Sequence, residues 1–470
     1  MNDNDDQTSS EPSSEPLISA STKRTPIPKF QLFILLLIQF AEPVTALVIY
    51  PFVVQFVRDT GITGGDEART GFYAGLLESS FFVAEGLAVY QVGRLSDIYG
   101  RRPVLLLGPL GLALAMLGFG LSQTFWMLLG FRCMQGAFNG NIGVAKTVMS
   151  EISDPSNAAD VFSFIQLMWS VGATTSPFMG GVLANAATKW PDTLGKIKVL
   201  RTHPYFLPCA AAACIAFGSF AFAFVGLRET LPSAVARAQK RQREAETERS
   251  PLLPRDETTT DTGQLDVVVP TLRALLTRPV CIAVLNHGMF CFCDMAYSSL
   301  VPLVYATPIA LGGLGLKPYD IGRIMGLCGI FNAIVQVFLG GRVIRYFGPR
   351  RIFTAAFCAL ALMFSAYPLL NILALRAGRV DAAVIAVLVG QLSCSCVLYF
   401  GYAATTLFIM DSAPTRTTVG SVNGLAQMAS TIVRSVAPSI ASSFFALSVE
   451  HNLAGGYLVY VLLIVVTCGA

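Results

Sequence analysis

Six ionisable residues stand inside otherwise apolar runs: Glu42, Glu78, Glu85, Arg132, Asp294 and Arg434. A charge near the centre of a bilayer costs about 2.5–3.5 kcal/mol on insertion scales, so a chain that keeps one turns it toward a cavity, a partner or a vectorial task. Glu42 lies twelve residues past Phe30, about 18 Å along a helix, beside Pro43, which can open the local backbone. A carboxyl held away from water is expensive to keep ionised, so it can take up and release a proton in each working cycle. The plainer alternative for Glu42 and Asp294 is a structural ion pair with Arg132 or another cation. Glu78 and Glu85, seven residues apart on one helix face, invite the same reading. Lys146 is expected to snorkel, and Arg434 to support packing or a gate.

Those charges need helices long enough to bury them. Of 470 residues, 53% are hydrophobic and 13% charged, about half the charge of a soluble domain. Apolar runs bounded by charge or Pro/Gly clusters fall at 30–57, 71–92, 103–122, 125–146, 159–185, 206–226, 276–306, 319–341, 352–373, 381–410, 418–447 and 455–470, each near the length that spans a bilayer. Placing residues 1–29 and 227–274 in the cytosol puts roughly twice as many Lys and Arg inside as outside. The 1–29 stretch lacks an apolar run and reads as a disordered tail, and 227–274 as a cytosolic linker. Its ERSPLL segment, Glu248 to Leu253, fits an acidic dileucine sorting signal as well as it fits a patternless linker. The last span ends at Ala470 with no charged flank, as in a clipped chain or a short final helix.

The halves repeat. GRLSDIYGRR (Gly93 to Arg102) and GRVIRYFGPR (Gly341 to Arg350) each follow a span and carry glycines seven apart. Glu42 precedes Pro51 by nine residues and Asp294 precedes Pro302 by eight; Pro177 and Pro438 hold similar places in the fifth and eleventh spans. Two copies of one bundle are implied, an all-α membrane protein of two pseudo-symmetric six-helix bundles at 30–226 and 275–470.

The first repeat, with Gly93, Leu95, Asp97, Gly100, Arg101 and Arg102, resembles the signature that joins helices 2 and 3 of the major facilitator superfamily. Arg132, Gln135 and Gly136 resemble its R-x-x-Q-G signature. Gly172, Pro177, Gly180 and Gly181 resemble its antiporter motif, with Ser176 where Gly is usual. GFYAG, FWMLLGFR, FNGNIG, HPYFLPC, CDMAY and LGGLGL look like the zinc-induced-facilitator-like branch and its fungal relatives, with tetracycline exporters as more distant kin. Glu85 departs from the plant members, which tend to carry Arg near there.

The resemblance implies twelve helices, with helices 1, 4, 7 and 10 lining a central cavity that Glu42, Arg132 and Asp294 should face; Glu85 is grouped with them as a substrate or proton site. It makes Gly93, Asp97, Gly100, Arg101 and Arg102 a conformational latch in the helix 2–3 loop, doubtful in the second copy, where Arg345 replaces the Asp. The implied function is proton-coupled antiport, exporting a small organic solute across the plasma or vacuolar membrane. A symporter or uniporter, and a non-transporting nutrient sensor, are the rivals.

Other chemistry is weakly supported. His287, Cys291 and Asp294 at i, i+4 and i+7 could form a metal stripe, but no matching ligand pair is evident elsewhere, so neither metal nor cofactor is assigned. With three histidines, no H-E-x-x-H and no nucleophile setting, an enzyme is not expected. The small net charge of +4 forms no basic stripe and argues against nucleic acid. The 11 cysteines lie mostly in apolar runs and read as reduced thiols. The expected partners are lipid, protons and a small solute, and the expected state is a monomer.

Overall fold

The computed structural model describes residues 28–153, 158–231, 276–414 and 418–469. Most of the N-terminal tail, most of the expected linker and the sorting signal lie outside the described residues.

The first half comprises α1 (Lys29–Leu47), α2 (Val53–Asp59), α3 (Glu67–Tyr99), α4 (Arg101–Gly120), α5 (Phe125–Asn139), α6 (Ile142–Glu151), α7 (Ala158–Leu183), the short α8 (Ala186–Lys189) and α9 (Lys198–Thr202), and α10 (Phe206–Gly226). The second comprises α11 (Arg278–Ala306), α12 (Pro318–Phe347), α13 (Pro349–Ala377), α14 (Ala382–Ser412), α15 (Val419–Glu450) and α16 (Leu458–Gly469). Among the described residues, eight helices are long and apolar enough to cross a membrane. Because α2 continues α1 and α6 continues α5, the long segments fall into two consecutive sets of six. Large apolar side chains such as Phe217, Val225 and Leu285 stay exposed, as expected where lipid is the solvent.

The first span is broken for a local reason. Pro51 has no N–H to give the Leu47 carbonyl, and the amide of Tyr50 turns back to Leu47 at 3.2 Å. The Ala46 carbonyl, without its i+4 donor, accepts instead from Arg132 Nη2 at 3.1 Å. Pro302, the counterpart of Pro51, sits inside an unbroken α11.

The halves meet along two helix pairs, α3 with α15 and α7 with α12. The pairs match in detail. A Cβ on Gly322 would lie 2.7 Å from the Pro177 carbonyl, and one on Gly75 would lie 2.8 Å from the Pro438 carbonyl. Both contacts lie toward the face that carries the C-terminal ends of α7 and α15, which we call the closed face. Ser79 Oγ accepts from the Ser439 amide at 3.0 Å, Ser170 Oγ donates to Gln336 Oε1 at 3.2 Å, and Arg58 Nη2 donates to the Ala306 carbonyl at 3.1 Å. Toward the other face Leu87, Tyr90 and Tyr99 of α3 and Phe338, Leu339 and Tyr346 of α12 are exposed. The space between the halves is therefore sealed at one end.

Candidate functional site

Glu42 is buried on α1, and its carboxyl faces that of Glu85 on α3. Lys146 of α6, Arg434 of α15 and the Asn139 amide of α5 surround the two acids. Asn139 is within reach of both carboxyls, yet its Nδ2 makes no well-aligned hydrogen bond.

From the second half, Asp294 of α11 accepts a hydrogen bond from Tyr402 Oη of α14 at 2.7 Å, with Arg434 as its nearby cation. Arg434 also lies near Tyr402 and Cys291. One guanidinium thus lies near acids from both halves, Glu42 and Glu85 on one side and Asp294 on the other.

Arg132 is placed differently from the expectation. Its side chain is 1% exposed and is spent inside the first half. Besides Ala46, it donates to Gln135 Oε1 at 2.8 Å and stacks 4.5 Å over the Phe81 ring. The titratable groups around it include Tyr50, Glu78 and Glu85. The helix break supplies the reason, because an orphaned carbonyl in hydrocarbon holds a guanidinium strongly. The structure does not bring Arg132 to Asp294; Arg434 takes that role.

Asp294 turns to Tyr402, while His287 Nδ1 lies 3.2 Å from Thr405 Oγ1 and its Nε2 lies 3.6 Å from Cys291 Sγ. The three-residue stripe does not converge on one point. Among the described residues no group of three or more His, Cys, Asp or Glu is placed to hold a metal ion.

The expected loop latch is not a loop. Gly93 to Tyr99 continue α3 for two further turns, and only Gly100, at φ 114°, separates them from α4. Gly348 repeats this at φ 76° before α13. Arg101 Nη1 bonds to Asp97 Oδ1 at 2.5 Å and its Nη2 to Glu151 at 3.2 Å. Glu229 accepts from the Arg101 and Arg102 amides at 2.8 and 3.1 Å, so a carboxylate caps the positive end of α4. In this state Asp97 is held within its own half.

The glycines of the α7 motif are contact points. A Cβ on Gly172 would strike Pro43 at 2.4 Å, one on Gly180 the Val48 carbonyl at 2.0 Å, and one on Gly181 the Gly322 Cα at 2.6 Å. Ser176 Oγ has two carbonyls within reach of its one proton, Gly172 a turn back in α7 and Pro43 of α1 at 3.1 Å, so Ser in place of Gly puts a donor beside the α1 backbone next to Glu42. Here the motif packs α7 against α1 and, across the boundary, against α12.

The family model described as Major Facilitator Superfamily matches residues 35–438. This chain belongs to the major facilitator superfamily. It is 31% identical over 475 residues to the major facilitator-type transporter psiT2 of Psilocybe cyanescens, covering 94% of this chain and 89% of the relative. It is 27% identical to the efflux pump azaK of Aspergillus niger, over 90% of this chain and 82% of that one. It is 26% identical to ZINC INDUCED FACILITATOR-LIKE 1 of Arabidopsis thaliana, over 94% and 90%.

The chain is thus an integral multi-pass membrane transporter with the major facilitator fold, and not an enzyme. Within that fold, sequence reasoning understated Lys146, which stands near Glu42, and Arg434, which stands near both Glu42 and Asp294. The available signal was the cost rule used for Glu42, which applies equally to cations in apolar runs.

Proposed function

We propose that this transporter is a proton-coupled antiporter that exports a small organic solute, from the cytosol or into a vacuole, by alternating access between its two bundles. The observation that carries this reading is the nearness of Arg434 to Glu42 and Glu85 of the first half and to Asp294 of the second. Three carboxylates against Arg434 and Lys146 leave one negative charge in excess. One proton neutralises the cluster, and so does one cationic group on a solute, so the two compete for the same place. Because the cluster spans the boundary, filling it also changes how the halves attract each other.

With the N-terminal end of α1 in the cytosol, as the distribution of Lys and Arg suggests, the sealed face is the outer one and the cavity opens inward. An inward-moving proton releases about 2.3 kcal/mol per 100 mV and about 1.4 kcal/mol per unit of pH difference, enough for uphill export. The α7 motif resembles that of antiporters, and azaK is named an efflux pump. The working unit is taken as one chain, with bundles at 30–226 and 275–470.

The test uses purified protein in liposomes with a trapped pH dye and a panel of solutes. Glu42→Gln and Asp294→Asn should abolish pH-driven solute uptake with the protein still folded. Undiminished uptake in both variants rejects the assignment, and solute movement without opposing proton flux points to symport or uniport.

A further inference from the structure

The face of α5 that carries Arg132, Gln135 and Asn139 at i, i+3 and i+7 is almost fully enclosed, with exposures of 1%, 0% and 1%. It lies against the face of α3 that carries Glu78, Phe81 and Glu85, with the two backbones closest at Gly136, where a Cβ would strike the Phe81 carbonyl. Four polar atoms on this seam have no partner: Arg132 Nε, Gln135 Nε2, Asn139 Nδ2 and Glu78 Oε2. Three are N–H donors and one is a carboxyl oxygen. Buried polar groups are satisfied by protein or by bound water, and a water that accepts from such donors keeps its own hydrogens to give onward.

The seam has two distinct ends. At one, Asn139 is within reach of Glu42 and Glu85 at the cavity. At the other, Glu78 is 2% exposed and is faced by Arg132 of α5, Ser299 of α11 and Tyr50 from the break after α1. Asp294 and Arg434 lie further round Tyr50.

We propose that Glu78 is a second proton-carrying carboxyl, joined to Glu42 and Glu85 by water bound along Arg132, Gln135 and Asn139, away from the solute's path. In the transfer, the O–H bond of protonated Glu85 breaks, a seam water takes that proton and gives up one of its own, and a new O–H bond forms on Glu78 Oε2. The water is regenerated and one positive charge has moved along α5. The proposal rests on the proton-coupled reading above, since a relay has a use only where protons drive transport.

The test needs no solute, so its outcome is separate from that of the flux assay. Infrared difference spectra between acid and alkaline pH are recorded on the full chain in lipid nanodiscs, in H2O and D2O. Glu78→Gln should remove one protonated-carboxyl band, different from the band lost in Glu42→Gln, and Glu78→Asp should shift that band and retain it. Gln135→Met, of similar volume and without the amide donor, should keep the band but slow its shift in D2O. Spectra of Glu78→Gln that retain every wild-type carboxyl band overturn the proposal, as does an unslowed D2O shift in Gln135→Met.

Discussion

Gly181 of α7 and Gly322 of α12 meet across the boundary between the two halves with no room for a side chain: a Cβ on either would lie 2.6 Å from the other's Cα. This contact seals the closed face, and its counterpart is Gly75 of α3 against Ser442 and the Pro438 carbonyl of α15. Small residues let helices approach where no hydrophobic effect drives them together, because lipid is as apolar as the helix surface.

Gly181→Val or Gly322→Val should therefore oppose closure. Overpacking costs about 1–3 kcal/mol, which corresponds to a shift of roughly 5–150-fold between the two conformations. Cysteine-labelling rates at cavity positions, measured from the side now sealed, should rise in both variants. Rates equal to wild type would show that the contact does not hold the gate.

Arg434→Met removes a cation that lies near Glu42, Glu85 and Asp294. Arg434 is half-buried, and deleting it leaves the charge of the neighbouring carboxylates less compensated. Thermal unfolding in detergent should show a marked loss of stability, and the double variant Arg434→Met with Glu85→Gln should recover part of it. No recovery would mean that Arg434 acts by packing alone.

Lys189 lies on the short α8, beyond the membrane span. Its Nζ donates to the Gly181 and Val182 carbonyls at 2.8 and 2.9 Å and sits 4.8 Å from the Tyr319 ring of the second half. Burial pushes its ammonium below the usual lysine range, with Asp320 working the other way. If opening returns Lys189 to water, the closed form binds this proton less tightly than the open form. Closure then gains as pH on that face rises through the interval between the closed-state and open-state values, and loses as pH falls back through that interval. Spin-label distances between Asp192 and Lys317 should shorten at alkaline pH in the wild type, and Lys189→Gln should remove the dependence. Distances insensitive to pH in the wild type would contradict this.

Glu229 stands at the start of α4 without belonging to it, and Gly100, the residue before that helix, offers no side-chain cap. Glu229→Ala should cost about 0.5–2 kcal/mol, the usual loss for a helix cap. A melting temperature unchanged from wild type would show that solvent replaces it.

Much of this was legible in the chain because the signals are local. Apolar runs mark most helix boundaries within a few residues, since bilayer thickness sets helix length. The helix after Val92 was misjudged: Arg94, Ser96 and Asp97 look like a loop by hydropathy, yet they continue α3 for two turns. Polarity at a membrane surface says where hydrocarbon ends, and the backbone goes on as helix until Gly100 allows the turn.

The sequence by itself determined the membrane fold, the duplication and the presence of acids at matched positions in each half, because hydropathy, repeated glycines and insertion cost are properties of short stretches. Only the tertiary structure decided which cation meets which acid. Arg132 is drawn to the Ala46 carbonyl by a break one helix away, and Arg434 reaches Asp294 and Glu42 because α15 packs along α3 and α11. Helix rotation and the pairing of the two halves set those neighbours, and neither is written in the spacing of residues along one helix.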